Sequence, residues 1–184
     1  MNVEIEVKIK LDSLEEARRE LPKFGKLVKS IRQIDEYYTP CHRDFFAHKP
    51  HPVEWLRIRV NPDVAIFEYD KSFDRKDGSQ DYAEEYETKI SQPDELRKML
   101  RFLDFRKVIT IDKQREYWDC GDLEICLDDV KNLGFFIEVE AKKNFSSTSE
   151  AREKCIGFLH KVGIKDWQKR QIKTGYCDLL LKKK

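Results

Sequence analysis

No apolar run in this chain approaches the roughly 20 residues of a bilayer-spanning helix, so the sequence offers no candidate membrane helix. An excess of one charge is missing too. Lys+Arg number 36 and Asp+Glu 35, for a formal net charge of +1. A generic nucleic-acid binder carries a basic excess, so no nucleic-acid partner is expected. Cys-x-x-Cys spacing is absent. The cysteines at 41, 120, 126, 155 and 177 are odd in number and read as the reduced thiols of a cytoplasmic protein. The opening Met1-Asn2-Val3-Glu4 has the character of neither a signal nor a transit peptide, which adds to the cytoplasmic expectation. A shortage of aromatics would mark disorder, but 11% aromatic and 40% hydrophobic residues can fill a core. At 184 residues the chain suits one domain, or two small halves sharing a core.

What is present in excess is charge of both signs. Charged residues make up 39% of the chain, against about 25% in an ordinary globular protein. Two explanations fit: an ion-paired surface of the heat-adapted kind, or a site that gathers both signs.

The chain also repeats itself. Residues 3–10, Val-Glu-Ile-Glu-Val-Lys-Ile-Lys, alternate with period two and read as a strand. Moved on by 81 positions, Glu4, Glu6, Lys8 and Ile9 fall on Glu85, Glu87, Lys89 and Ile90. Ser13-Leu-Glu-Glu16 has the form of a capping box for a helix running to about Leu21, and Pro93 opens a second running to about Leu103. Phe24 then matches Phe105. Further strands are expected at 54–60 and 64–71 in the first half, and at 122–128 and 134–142 in the second. The order is strand-helix-strand-strand-strand, written twice, over about 1–72 and 82–142. Eight strands in two such halves suggest a closed antiparallel β-barrel, a tunnel in an α+β fold with helices outside. A capping box at Ser147–Glu150 starts a third helix ending before Gly163, and 167–181 reads as helical. Pro40 to Pro52 and Phe73 to Asp81 read as loops, and no linker divides the chain into independent domains.

Charged residues share strand faces. Arg57 and Arg59 alternate with Leu56, Ile58 and Val60, and Lys113, Arg115 and Tyr117 lie together. Glu124 and Asp128 oppose Leu123, Ile125 and Leu127, and Glu138 and Glu140 alternate with Ile137 and Val139. Either these faces are a solvated exterior, or they look inward while the apolar faces pack under helices. The stripes available for that packing are Leu14, Ala17, Arg18 and Leu21, and Leu96, Met99, Leu100 and Leu103. Pattern alone leaves the two arrangements even. Carboxylates at i and i+2 (Glu4/Glu6, Glu85/Glu87, Glu138/Glu140) suit Mg²⁺ or Mn²⁺. Cations at the same spacing (Arg57/Arg59, Lys113/Arg115) suit phosphate oxygens. Together they are equipment for chemistry on a polyphosphate.

Glu4-Ile-Glu6-Val-Lys8 resembles the ExExK signature of the CYTH superfamily, the triphosphate tunnel metalloenzymes. Gln33-Ile-Asp35-Glu-Tyr37-Tyr38, Arg43-Asp-Phe45 with Leu56-Arg57-Ile-Arg59, and Lys113-Gln-Arg115-Glu-Tyr117 resemble further segments of that family. So do Cys126-Leu-Asp128-Asp129-Val130, Leu133-Gly134-Phe-Phe-Ile-Glu138-Val-Glu140 and Gly175-Tyr176-Cys-Asp-Leu179-Leu180. The likeness spans nearly the whole chain, in order, and leans to the class IV adenylyl cyclase branch. It implies an eight-stranded antiparallel tunnel with a charged lumen. It implies Glu4, Glu6, Asp128, Glu138 and Glu140 as metal ligands. Lys8, Arg57, Arg59, Lys113 and Arg115 would bind the triphosphate, joined by Lys71. The chain reads Tyr69-Asp70-Lys71 where the family has lysine directly after the aromatic residue. Glu85 and Glu87 fit the second-half ExE position and would hold cations in place. Glu124 lies outside the family pattern.

Two reactions share this equipment. A cyclase turns ATP into cyclic AMP and pyrophosphate; a triphosphatase hydrolyses thiamine triphosphate, tripolyphosphate or a nucleotide. The branch resemblance leans to the cyclase. A polyphosphate-binding module without turnover would keep the cations and be free to lose the carboxylates. Tyr37 either orients a nucleophile or is a barrel tyrosine bonded to a carboxylate. His42, His48 and His51 beside Cys41 fit no standard zinc spacing and read as a loop. Lys182-Lys183-Lys184 read as a solvated tail, and the sequence leaves oligomeric state open, a homodimer being possible.

Overall fold

The computed structural model describes residues 3–48, 52–74, 80–142 and 145–183, with the side chains of Val3, Glu4 and Gln80 outside that description. The elements run β1 (Val3–Glu4), β2 (Glu6–Leu11), α1 (Glu15–Glu20), β3 (Lys26–Pro40), β4 (Glu54–Val60), β5 (Ala65–Asp74) and β6 (Gln80–Ile90). They continue with α2 (Pro93–Phe102), β7 (Phe105–Cys120), β8 (Leu123–Val130), β9 (Gly134–Ala141) and α3 (Thr148–Lys161). Last come α4 (Trp167–Arg170), β10 (Gln171–Ile172) and α5 (Tyr176–Leu181). Among the described residues β1 and β10 are two-residue strands, leaving eight of substantial length. The strand-helix-strand-strand-strand order is present twice, as β2-α1-β3-β4-β5 and β6-α2-β7-β8-β9. The fold is α+β, and the strand pairings described below are all antiparallel.

The chain divides into two compact units. One comprises 1–3, 32–112 and 174–184; the other comprises 4–31 and 113–173. The long strands β3 and β7 each give residues to both. In the first unit β6 pairs β5, β5 pairs β4, and β4 pairs the second half of β3. Tyr38, Phe45, Leu56, Ile58 and Leu100 form its core, with Phe67, Tyr69, Ile90 and Leu96 packed around them. In the second unit β7 pairs β8, β8 pairs β9, β9 pairs β2, and β10 adds to the free side of β2. There Val7, Ile9, Ile125, Leu127, Ile137 and Val139 are buried, and α3 packs on β9 and β2 through Ala151, Cys155 and Leu159.

Local chemistry explains most boundaries. Pro93 occupies the first turn of α2, Asp94 and Glu95 complement its amino end, and Arg101 its carboxyl end. Asp104 then turns the chain out of the helix at φ +58°. Ser147 accepts the Glu150 amide at 3.1 Å as the amino cap of α3, while the Glu150 side chain returns to the Ser146 amide at 3.0 Å.

Four expectations are corrected. Ser13 does not cap α1; Leu14 holds that position and makes no side-chain cap. The segment 167–181 is not one helix. Gln171 and Ile172 pair with Ile9 and Lys8 on the open side of β2, and that ladder interrupts helix between α4 and α5. The α2 stripe is only partly buried: Leu100 is inside, but Met99 and Leu103 are exposed. The loop expectation for 73–81 is shortened by β5 and β6, and its residues 75–79 lie outside the described residues, as does His51.

Candidate functional site

Register decides which charges meet. In the first unit Arg57 lies between Tyr37 on β3 and Glu68 on β5, and Glu68 is opposite Glu87 on β6. Asp35 faces Arg59, and Asp70 faces Glu85, so all these residues share one sheet face. Glu68 is fully buried, and Arg57 is ion-paired to it. Arg57 also reaches Asp70 at 3.7 Å and Glu85 at 3.8 Å, and donates to the Tyr37 hydroxyl at 3.2 Å. Arg59 donates to Asp35 at 2.8 Å and lies 3.5 Å from Glu68. One carboxylate oxygen from each of Glu68, Glu85 and Glu87 can be chosen so that all lie within 4.8 Å of one another.

That crowding separates the carboxyls. Burial opposes ionisation of Glu68, yet Arg57 and Arg59 hold its carboxyl down at about 2. Burial, and after it the charge of Glu68, pushes Glu85 up to about 7. Asp70 is raised by burial and the same neighbour against the pull of Arg57. Burial pushes the Tyr37 hydroxyl well up, so it stays a neutral phenol that accepts from Arg57. Its partner is thus a cation and not the carboxylate considered from sequence.

The second unit has its own cluster. Lys8 faces Glu138, Arg115 faces Asp128, and Glu6 and Glu124 flank Glu140 from β2 and β8. Lys8 lies 3.1 Å from Glu6 and 3.1 Å from Glu138. Arg115 forks onto Asp128, with Nε at 2.7 Å, and also binds Glu138. Asp128 is fully buried, and Lys113 is buried beside this network. Burial would raise the Glu138 carboxyl, but Arg115, then Lys8 and Lys113, hold it well below the ordinary range. Lys8 is correspondingly raised by Glu138 and Glu6 in spite of its burial.

These charged faces are therefore not a solvated exterior. Asp35, Glu68, Lys113, Arg115, Asp128 and Glu138 are all buried. Ionised groups stay buried at such cost only when paired.

Several expected residues fall elsewhere. Lys71 follows Asp70 on β5 and points to the opposite face, where it is exposed beside the Phe73 ring. Asp70, directly after the aromatic Tyr69, is presented to the cluster instead. Asp128 and Glu138 are engaged by Arg115 and Lys8 and do not form an open pair of ligands. Glu6 and Glu140 are half-buried in one row. The Glu4 side chain lies outside the described residues. His42 and His48 are exposed. Glu68 and Asp70 were missed from sequence, although the alternation Ile66-Phe67-Glu68-Tyr69-Asp70 carries the signal. Glu124, set aside there, stands in the Glu6–Glu140 row.

Residues 2–171 match the family model described as CYTH domain. The chain belongs to the CYTH domain family. A protein of Methanocaldococcus jannaschii named "Putative adenylate cyclase" is 34% identical over 149 residues, covering 80% of this CYTH chain and 81% of its own length. A solved structure from Pyrococcus horikoshii superposes with a TM-score of 0.82 at 27% identity, covering 98% of this chain and 99% of that one. A Vibrio parahaemolyticus structure, described as a "putative adenylate cyclase", matches with a TM-score of 0.79 over 97% of both chains. At 15% identity that likeness shows the fold alone. Among the described residues no helix is long and apolar enough to cross a membrane.

Proposed function

We propose that this CYTH protein is a metal-dependent enzyme acting on a triphosphate, and that its reaction is the conversion of ATP to cyclic AMP and pyrophosphate. The observation that carries the reading is the set Arg57, Arg59, Glu68, Glu85 and Glu87 on one sheet face, built around the buried Glu68. It joins two guanidinium groups to three carboxylates whose oxygens approach within 4.8 Å. Such a donor set is hard and all-oxygen, and fits Mg²⁺ or Mn²⁺. The cyclase name of the M. jannaschii relative supports the reaction class.

Glu68, Glu85 and Glu87 are our candidates to hold an ion, which when bound would supply charge neutralisation on phosphate oxygens. Glu6 and Glu140 are the candidates in the second unit. Asp128 and Glu138 we assign to holding Arg115 and Lys8 in place. Arg57, Arg59, Lys8, Lys113 and Arg115 are the groups suited to phosphate oxygens, with the arginines able to bind as forks. In the reaction the ribose 3′ oxygen bonds to the α-phosphorus, the bond to the bridging oxygen of pyrophosphate breaks, and the 3′-hydroxyl proton is lost. Cations stabilise the charge that grows on the departing pyrophosphate.

The test is a screen of ATP, thiamine triphosphate and tripolyphosphate with Mg²⁺ or Mn²⁺, scoring cyclic AMP against phosphate. Cyclic AMP from ATP is expected. Phosphate release without cyclic AMP would replace the cyclase by a triphosphatase. Glu87→Gln, at an exposed position that leaves the core alone, should lower turnover about 100-fold. Turnover at the wild-type level would remove Glu87 from the ion-holding set.

A further inference from the structure

The two halves of the repeat place the same lysine differently. Under the 81-residue offset, Glu6 and Lys8 correspond to Glu87 and Lys89. Lys89 is exposed. In that half Glu85 and Glu87 gather with Glu68, one oxygen of each within 4.8 Å of the others. Lys8 instead turns inward. Its side chain is 11% exposed, and Nζ lies 3.1 Å from Glu6 and 3.1 Å from Glu138. Glu6, Glu140 and Glu124 stand side by side on β2, β9 and β8. Yet among the described residues of this unit no three such groups converge as Glu68, Glu85 and Glu87 do. Where the lysine is outside, the carboxylates meet; where it is inside, an ammonium stands among them.

We infer that the Lys8 ammonium occupies the second unit's cation site, and that Glu6, Glu138 and Glu140 take a divalent ion only when phosphate oxygens draw Lys8 away. The inference rests on the reading of Glu6 and Glu140 as ion-holding residues. An ammonium and a divalent ion compete for the same oxygens, and two cations this close in a poorly solvated site repel strongly. Lys8 meanwhile balances carboxylates that would be costly to leave buried without a partner.

The contacts suit an exchange. Lys8 holds Oε1 of Glu138, while Arg115 holds Oε2 and forks onto Asp128. Departure of Lys8 therefore frees one oxygen of Glu138 and one of Glu6, and Arg115 still anchors the Glu138 side chain. A triphosphate offers the ammonium what it gives up, anionic oxygens for charge-assisted hydrogen bonds. Ion and triphosphate thus load the second unit together, a positive coupling between two ligands. Glu68, Glu85 and Glu87 in the first unit need no such release.

Mn²⁺ titration of the metal-free full chain, with bound ions counted by electron paramagnetic resonance, tests this without turnover. The wild type should bind one ion, and Glu68→Gln, which disables the first unit, none. Adding Lys8→Gln to Glu68→Gln should restore one ion, at least about 30-fold tighter than in Glu68→Gln alone, and Glu140→Gln should abolish it again. A second arm leaves Lys8 intact and so stands even where Lys8→Gln fails to fold. In Glu68→Gln, sulfate should raise the Mn²⁺ affinity about tenfold by engaging Lys8, and chloride at equal ionic strength should not. Two ions on the wild type without any added anion, the second lost in Glu140→Gln, would overturn the inference and leave the metal-dependent reading standing. So would a folded Lys8→Gln, Glu68→Gln protein that binds no ion while the wild type binds one, or sulfate acting no differently from chloride. No Mn²⁺ binding by any of the proteins, wild type included, would remove the metal-dependent reading together with the inference.

Discussion

Replacing Arg115 by methionine keeps an unbranched apolar stem and removes the guanidinium charge that organises the second unit's cluster. Arg115 gives Asp128 a two-pronged contact and binds Glu138, and both carboxylates are buried. Removing one partner of a buried pair costs about 3–5 kcal/mol, because a charge is left in a medium that cannot solvate it. Lys8 still holds Glu138 at 3.1 Å, so most of the loss falls on Asp128 and the low end applies. For a chain of this size each kcal/mol moves the melting temperature by about 2–4 °C, so a fall of roughly 6–12 °C is expected. The loss has a pH signature. Glu138 is held well below the ordinary carboxylate value in the folded protein. Its pairing therefore stabilises fully above the unfolded value of about 4.3, and this is lost as pH falls through the folded value. Without Arg115 that depression shrinks, so the gap between wild type and variant is widest above about pH 5.5 and narrows below about pH 4. Thermal melting followed by circular dichroism at pH 7.5 and 3.8 measures both. A variant melting within 2 °C of wild type at pH 7.5, or a gap that widens in acid, would refute the assignment of Arg115 as the charge balancing this cluster.

Glu85→Gln tests the opposite sign. Its folded pKa is raised, to about 7, by burial and Glu68, so the native protein is favoured with the proton on and loses stability as pH rises from about 4.3 through 7. In metal-free buffer Glu85→Gln should melt a few degrees higher than wild type at pH 8 and equal to it near pH 4.5. Mg²⁺ or Mn²⁺ at about 100 times its dissociation constant should stabilise the wild type by about 2.7 kcal/mol, read as a rise of roughly 5–10 °C in scanning calorimetry. That rise should vanish in Glu68→Gln if Glu68, Glu85 and Glu87 hold the ion. Lys71→Ala should change turnover less than about twofold, because the side chain is exposed on the other sheet face, whereas Arg57→Ala should lower it by about 100-fold or more. Equal losses in the two variants would show that the face assignment of β5 is mistaken.

Period and motif were enough to place most elements. The 54–60 strand was read to the residue, α2 to within one, and the Ser147 cap and the twofold element order were legible because alternation and capping are local chemistry. The resemblance of Glu4 to Lys8 and of the later segments pointed to the family that the whole-chain comparisons show. Composition told that both signs of charge were abundant and nearly balanced, but not whether they were gathered or where. Tertiary structure decided that Asp128 and Glu138 are clamped by Arg115 and Lys8, that Tyr37 serves Arg57, and that Glu68 joins Glu85 and Glu87. It also turned Lys71 away and put Asp70 in the cluster. The physical reason is the same in each case. A strand's alternation tells which residues share a face, while cross-strand register, burial and the helix overhead decide which of them touch, and those are set by residues far away in the chain.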